Sequence, residues 1–246
     1  MVKVNCNNFR NFIKAISPIG EVVWVTFTKD AITVLGVDRS NALGAVISIP
    51  VASGYIGELG MSLETLGNLL PKGIDEVEMM FERETTISAD GYNAKVMSIN
   101  KESCSRVPKD GLPAPEHARI TIQPQHMYEK LQSLKAAFKG NNSFAIVMDP
   151  AQPNRVTFSD EDIVVGSMVT TIPASTPVVI PGRYIYSYDL VMPALNAIRL
   201  SSGTVDLRFR VSPKDPKISL LFFCGVTQDA VPITYQYMFA PRVETP

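Results

Sequence analysis

The side chains able to do chemistry are few in this chain and lie far apart. There are two histidines, His117 and His126, and three cysteines, Cys6, Cys104 and Cys224. Neither histidine has a Cys, Ser or Asp beside it in a pattern that would make a nucleophile and its base. The cysteines are odd in number and widely spaced, which fits neither a disulfide framework nor a CxxC zinc pair; reduced thiols in an intracellular compartment are expected. Asp160, Glu161 and Asp162 form a small acidic cluster whose ordinary reading is a strand-to-strand turn, not a metal site. Met79 and Met80 read as core rather than as a docking groove. HExxH, a Walker loop and GxGxxG are all absent. Enzyme activity is therefore not expected, nor is a cofactor or a metal.

Bulk composition points away from other classes too. The 246 residues suffice for one large domain or two of about 120 residues. Hydrophobic residues make up 46% of them, enough to bury a sizeable core. The net charge of −1 excludes a globally basic nucleic-acid binder, so any contact with DNA needs its positive charge gathered on one face. The N-terminus shows no charged head followed by an apolar signal core, and no apolar run approaches the roughly 20 residues that span a bilayer. A soluble intracellular protein with no membrane partner is expected.

Four segments carry helical periodicity. Phe9, Phe12, Ile13 and Ile16 make the first stripe, with Asn7 or Asn8 as its cap and Pro18 at its end. Arg10 and Lys14 fall away from that stripe. Ser62 caps the second, in which Leu63, Leu66 and Leu70 precede Pro71 and Gly73. Met127, Leu131, Leu134 and Phe138 make the third. Lys135 and Lys139 share another of its faces, and Lys130 lies on the opposite flank. Val191, Leu195 and Ile198 make the fourth between Ser187 and Leu200, where Pro193 is tolerable only near the first turn. The rest reads as strands: 22–27, 31–35, 43–49, 76–81, 94–99, 120–122, 144–148, 156–158, 163–169, 205–209, 218–223 and 234–239.

The order of elements repeats at an offset of about 120 residues, which marks a long-period duplication. The helix at Asn7 corresponds to that at Gln125, and the helix at Ser62 to that at Ser187. Between the halves, SCSRVPKDGLPAPEHA reads as an extended connector, with Leu112 as the one large apolar residue in its Gly111-Leu112-Pro113 centre. The expected plan is α+β, with a first subdomain over 1–102, a connector over 103–118 and a second subdomain over 119–246. Each subdomain packs two helices on antiparallel sheet.

Four stretches resemble one known family. They are Glu21-Val22-Val23-Trp24 followed by Gly36-Val37-Asp38-Arg39-Ser40-Asn41, the helix from Leu63 to Leu70, the connector with its Gly111-Leu112-Pro113 centre, and Tyr237-Met238-Phe239-Ala240-Pro241-Arg242-Val243-Glu244. The last, an aromatic/apolar-Ala-Pro-basic-apolar-Glu ending, is the most specific. Together they resemble the sliding clamps of the proliferating cell nuclear antigen (PCNA) type found in eukaryotes, archaea and some viruses. The resemblance implies the DNA-clamp fold assembled into a closed homotrimeric ring, with helices lining the hole. The edges expected to pair between subunits are 94–99 and 163–169. It also implies a polymerase processivity factor of replication and repair, acting in the nucleus, the archaeal cytoplasm or a virus-infected host cell.

The same resemblance implies which residues act. Arg10, Lys14, Lys72, Lys130, Lys135, Lys139 and Arg199 are the candidates to face duplex DNA, without reading its sequence. The second and fourth helices depart from the family's basic pattern, with Asn68 and Pro71 in one and Asp189 and Asn196 in the other. Val37, Asn41, Leu112, Pro216, Phe239, Ala240 and Pro241 are the candidates to line a groove for the PIP-type peptides of polymerase, clamp loader, ligase and nuclease. Asn41 is smaller than the family's usual residue. Other readings compatible with the residues are a clamp-fold processivity factor that stays monomeric, a subunit of a heteromeric or checkpoint-type clamp, and a two-domain enzyme without a signature motif.

Overall fold

The structure, a computed structural model, describes residues 1–82, 84–115, 117–138, 140–152, 155–160, 170–173, 182–215 and 218–242. The chain forms two compact units. One holds Met1–Leu112 with Val226–Tyr235, and the other Pro113–Gly225 with Gln236–Pro246. No helix among the described residues is long and apolar enough to cross a membrane.

The first unit runs β1 (Val2–Asn5), α1 (Cys6–Ile16), β2 (Val22–Phe27), β3 (Ala31–Val37), β4 (Leu43–Pro50), β5 (Gly57–Ser62), α2 (Leu63–Leu69), β6 (Glu76–Phe81), β7 (Glu84–Ala89) and β8 (Tyr92–Met97). The second repeats that order as β9 (His117–Ile122), α3 (Pro124–Ala137), β10 (Ser143–Met148), β11 (Arg155–Asp160), β12 (Thr170–Pro173), β13 (Gly182–Ser187), α4 (Tyr188–Ile198), β14 (Val205–Val211), β15 (Ser219–Val226) and β16 (Thr234–Phe239). Strand order repeats as well. β1-β6-β7-β8 is matched by β9-β14-β15-β16, and β5-β2-β3-β4 by β13-β10-β11-β12. Every pairing with a recorded register is antiparallel.

The repetition extends to single residues. Val22 pairs with Ser62 and Phe27 with Gly57, just as Ser143 pairs with Ser187 and Met148 with Gly182. Ser62 and Ser187 then cap α2 and α4, their hydroxyls accepting from Thr65 N and Asp189 N. The first helical N–H donates in each case to the residue just before the partner strand: Leu63 to the Glu21 carbonyl at 2.9 Å, and Tyr188 to the Asn142 carbonyl at 3.0 Å.

Local chemistry explains where sequence and structure part. α1 starts earlier than its apolar stripe suggests, because Asn5, and not Asn7 or Asn8, is the cap: its Oδ1 accepts from both Asn7 N and Asn8 N at 3.1 Å. Pro193 is the sixth residue of α4 and so lies past the first turn. It stands on the exposed side, where water can serve the carbonyl its missing N–H leaves free. β1, β5, β7, β12 and β13 went unpredicted. GELGMS lacks β-branched residues, and only its pairing to β2 makes it a strand. The edge expected over 94–99 is β8, Tyr92–Met97, while 163–169 lies outside the described residues.

The start of the connector is bound to the first unit as tightly as a strand. Ile99 N donates to Gly60 O at 2.9 Å, Ser105 N to Val22 O at 2.8 Å, and Val37 N to Arg106 O at 2.9 Å. Three glycines make room for it. A Cβ on Gly60 would stand 2.3 Å from Ile99 O, one on Gly20 2.6 Å from Ser105 Oγ, and one on Gly36 3.6 Å from Ser105 Cβ. Glycine within a strand is a mark of such close backbone approach. Beyond Arg106, no hydrogen bond among the described residues ties 107–113 to the rest of its unit; Gly111 N bonds only locally, to Pro108 O.

Gly60→Ala should lower stability by about 1–3 kcal/mol, since backbone cannot move aside. Gly67, inside α2 with nothing near its missing Cβ, should behave oppositely. Gly67→Ala should raise stability by about 0.5–1 kcal/mol through helix propensity. Thermal melts of the two variants check both signs.

Candidate functional site

The predicted cations fall into two groups. Arg10 and Arg199 hold helices together. Arg10 leaves α1 to donate from Nη2 to the carbonyls of Leu70 (3.1 Å) and Pro71 (2.8 Å), and from Nη1 to Asn7 Oδ1 (3.1 Å). It thus serves the carbonyls at the end of α2 that have no helical partner. In the second unit Arg199, at the end of α4, donates to Gln125 Oε1 of α3 and to Asn196 Oδ1, each at 2.8 Å. Its guanidinium stacks 4.4 Å from the Tyr128 ring centre. Both arginines keep their charge, but their geometry is fixed by the helix pair.

Lys14, Lys72 and Lys130 are different. Lys14 and Lys72 are exposed and Lys130 is half-exposed, and none forms an ion pair among the described residues. Lys135 is exposed but directed to Asp189 Oδ1 at 3.3 Å and lies over the Tyr188 ring at 5.7 Å. Lys139 lies outside the described residues. The helices also present neutral polar groups to solvent, Asn7 and Ser17 at α1, Thr65 on α2, Gln132 and Ser133 on α3 and Asn196 on α4, together with three exposed carboxylates, Glu64 on α2, Glu129 on α3 and Asp189 on α4.

The front loop is built by Asp38. Its Oδ1 accepts from Ala42 N (2.8 Å) and Leu43 N (2.9 Å), and its Oδ2 from Ser40 N (3.3 Å) and the Ser40 hydroxyl. That turn requires a left-handed residue, and Asn41 supplies it at φ 57°. Asn is one of the few non-glycine residues that tolerate this conformation, which explains the departure from a larger side chain. Asn41 Oδ1 accepts from Arg106 Nη1 at 3.3 Å. A cleft of about 500 Å³ lies here within the first unit, lined by Ile19 to Val22, Val37 to Arg39, Asn41 and Ser103 to Arg106.

The other expected groove residues divide by burial. Val37 is buried at the end of β3, and Phe239 is fully buried, its ring against Phe223 at 4.7 Å. Both support the surface from below, so the expectation that Phe239 itself lines an open groove is corrected. In a strand, alternate side chains point inward, and 239 is an inward position. Leu112, Ala240 and Pro241 are half-exposed. Pro216 lies outside the described residues. The tail after β16 repeats the course of the connector: Arg242 N donates to Ile185 O at 2.8 Å, and Ile185 is the fourth residue of β13 as Gly60 is of β5.

No family model and no curated protein matches the chain at the level of sequence. Solved structures do match, over the whole length. PCNA of A. fulgidus, in a structure with the C-terminal region of FEN-1 bound, has a TM-score of 0.74 at 16% identity, covering 100% of both chains. The PCNA2–PCNA3 complex of Sulfolobus tokodaii gives 0.73 at 16%, covering 99% of each. PCNA of Entamoeba histolytica gives 0.73 at 14%, covering 98% of each. The chain has the fold of the PCNA sliding clamps. At these identities it is backbone geometry that is shared, and the site residues stand on their own placement.

Within that clamp fold, sequence reading missed Arg106, Asp38 and the glycines that seat the connector. Gly36, directly after the apolar run 31–35, was the signal available; Gly60 gave none, because its strand was not read from the sequence.

The entry to α4 gives a pH test. Asn142 Nδ2 donates to Asp189 Oδ2, and with Lys135 it holds the Asp189 carboxyl below the usual carboxylate range, against the opposing effect of partial burial. A depressed carboxylate contributes stability that is present above its unfolded pKa, about 4, and is lost as pH falls through its lower folded value. Asp189→Asn should therefore melt below wild type near neutral pH, and the gap should close as pH drops beneath about 4. Melting curves recorded across that range check it.

Proposed function

We propose that the chain is one subunit of a homotrimeric sliding clamp, a non-catalytic processivity factor that encircles duplex DNA and tethers replication and repair enzymes. The full-length match to PCNA folds carries this reading. Two features of the chain support it. Each unit is half of a duplication, and such halves placed head to tail can close into a ring. β8 is the outermost strand of its sheet, with β7 on one side only, and an open edge is a template for pairing with another chain. The proposed acceptor is the edge of the sheet that ends in β12.

DNA would be held by topology and touched weakly. Lys14, Lys72 and Lys130 supply charge to phosphates, Lys135 supplies it partly, and amides, hydroxyls and the carboxylates Glu64, Glu129 and Asp189 make up the rest of the exposed helix surface. Partners with PIP-type peptides would dock over the front loop and connector; A. fulgidus PCNA, which shares this fold, has the C-terminal region of FEN-1 bound. Leu112 is the apolar contact offered by the free half of the connector. The S. tokodaii complex keeps a second reading in view, a place in a heteromeric ring.

Light scattering over a range of concentrations tests assembly. A homotrimer gives three times the 27.0 kDa of the chain. A species that stays at one chain mass until another subunit is added supports the heteromeric ring. Lys14→Ala with Lys130→Ala should leave that mass unchanged, weaken DNA binding, and flatten the salt dependence by about one unit of log–log slope for each phosphate that is no longer neutralised. Unaltered binding would remove these lysines from the DNA face. Leu112→Ser should weaken a PIP-type peptide about tenfold with the ring intact; wild-type affinity by calorimetry would remove Leu112 from the groove.

A further inference from the structure

The cleft beside the front loop has a chemistry that an apolar groove does not use. Ile19, Val22 and Val37 give it an apolar lining, and Arg39 and Arg106 are its cations. Its carboxylates are Glu21 and Asp38. Asp38 is taken up by its own loop, with hydrogen bonds at both oxygens. Neither arginine forms an ion pair among the described residues, and both are exposed.

Arg106 is also held in place. The Ser105 N–H on the Val22 carbonyl and the Arg106 carbonyl on the Val37 N–H fix the backbone on both sides of it. Glycines at 20 and 36 lie against this segment, where a Cβ would stand 2.6 Å from Ser105 Oγ and 3.6 Å from Ser105 Cβ. Asn41 engages one end of the guanidinium through Nη1. The remaining N–H donors form a fixed fork, the geometry that suits a carboxylate. A group ordered before binding loses little freedom on binding.

We propose that this cleft takes an extended segment of a partner protein that carries an aliphatic residue next to Glu or Asp. The aliphatic side chain lies on Ile19, Val22 and Val37, and the carboxylate lies between Arg39 and Arg106. The proposal rests on the clamp reading in one respect, that the front loop and the connector face partners. It adds a charge preference that the PIP-type anchors do not specify, and it makes Arg106 a specificity-determining residue. Glu21 stands against the two arginines and lowers the preference without reversing it, since Asp38 is engaged by its own loop.

Fluorescence anisotropy with the full chain tests it. The probes are PIP-type peptides extended at either end by Val-Glu-Val-Glu or by its twin Val-Gln-Val-Gln, together with the unextended peptide. At one end the Glu form should bind about fivefold tighter than the Gln form, the range of a well-placed exposed pair. Arg39→Ala with Arg106→Ala should bring the Glu and Gln forms to equal affinity, whatever its effect on the unextended peptide. Equal binding of the twins at both ends overturns the proposal, as does an advantage that survives the double substitution. The comparison of twins on the unaltered protein stands even if the variant misfolds. The two tetrapeptides offered alone, followed by amide NMR shifts, separate this proposal from the clamp reading. Shifts at Arg39, Ser105 and Arg106 with the Glu peptide only support the cleft even if PIP-type peptides fail to bind, and no difference between the two peptides overturns it.

Discussion

Ile99 donates its backbone N–H to Gly60, and Arg242 donates its own to Ile185. These two bonds hold equivalent places in the two units, at the fourth residue of β5 and of β13. Each ties the chain, after its unit's last strand has ended, to an edge strand of a different sheet, β5 in the first unit and β13 in the second. In the first unit the consequence is large. The returning segment lies so close to β5 that glycine is required at 60, and the connector is anchored as far as Arg106. The front loop, the cleft beside it and the free half of the connector with Leu112 all take their positions from that seat. The Ala-Pro exit at 240–241 is the same device in the second unit, where proline ends strand pairing.

The helices obey a different constraint. Each unit pairs two of them, and each pair is tied by one guanidinium, Arg10 to the end of α2 and Arg199 to the start of α3. A guanidinium committed to carbonyl and amide oxygens adds rigidity and leaves its charge unneutralised. On the proposed reading, the surface offered to DNA combines the fixed arginines and a few freely placed lysines with the exposed carboxylates Glu64, Glu129 and Asp189. A ring that retains DNA by enclosure needs no more, because tight phosphate contacts would oppose sliding.

Much of this was legible in the sequence. Helix stripes, the doubled order of elements and the Ser62 cap follow from periodicity and local hydrogen bonding. Most strands with β-branched runs were readable for the same reason, though β7, ETTISA, was passed over. β5 and β13 were not, because glycine and mixed residues become strand there only through pairing to β2 and β10. Arg10 read as a DNA contact because spacing shows which face a residue is on, and not that its long side chain reaches 60 positions along the chain to the carbonyl of Leu70. Phe239 read as groove because the motif marks the segment, while strand alternation decides which of its side chains turn inward. Asn41 looked like a loss of specificity and is a conformational requirement of the Asp38 turn.

Enclosure of DNA is the central claim, and topology tests it directly. The protein is loaded with its loader on a nicked plasmid circle, washed at high salt, and the circle is then cut once by a restriction enzyme. A closed ring stays with the intact circle through the salt wash and leaves when a free end appears. Retention that is equal on circular and cut DNA, or that salt alone abolishes, would mean that the chain holds DNA by charge and not by enclosure.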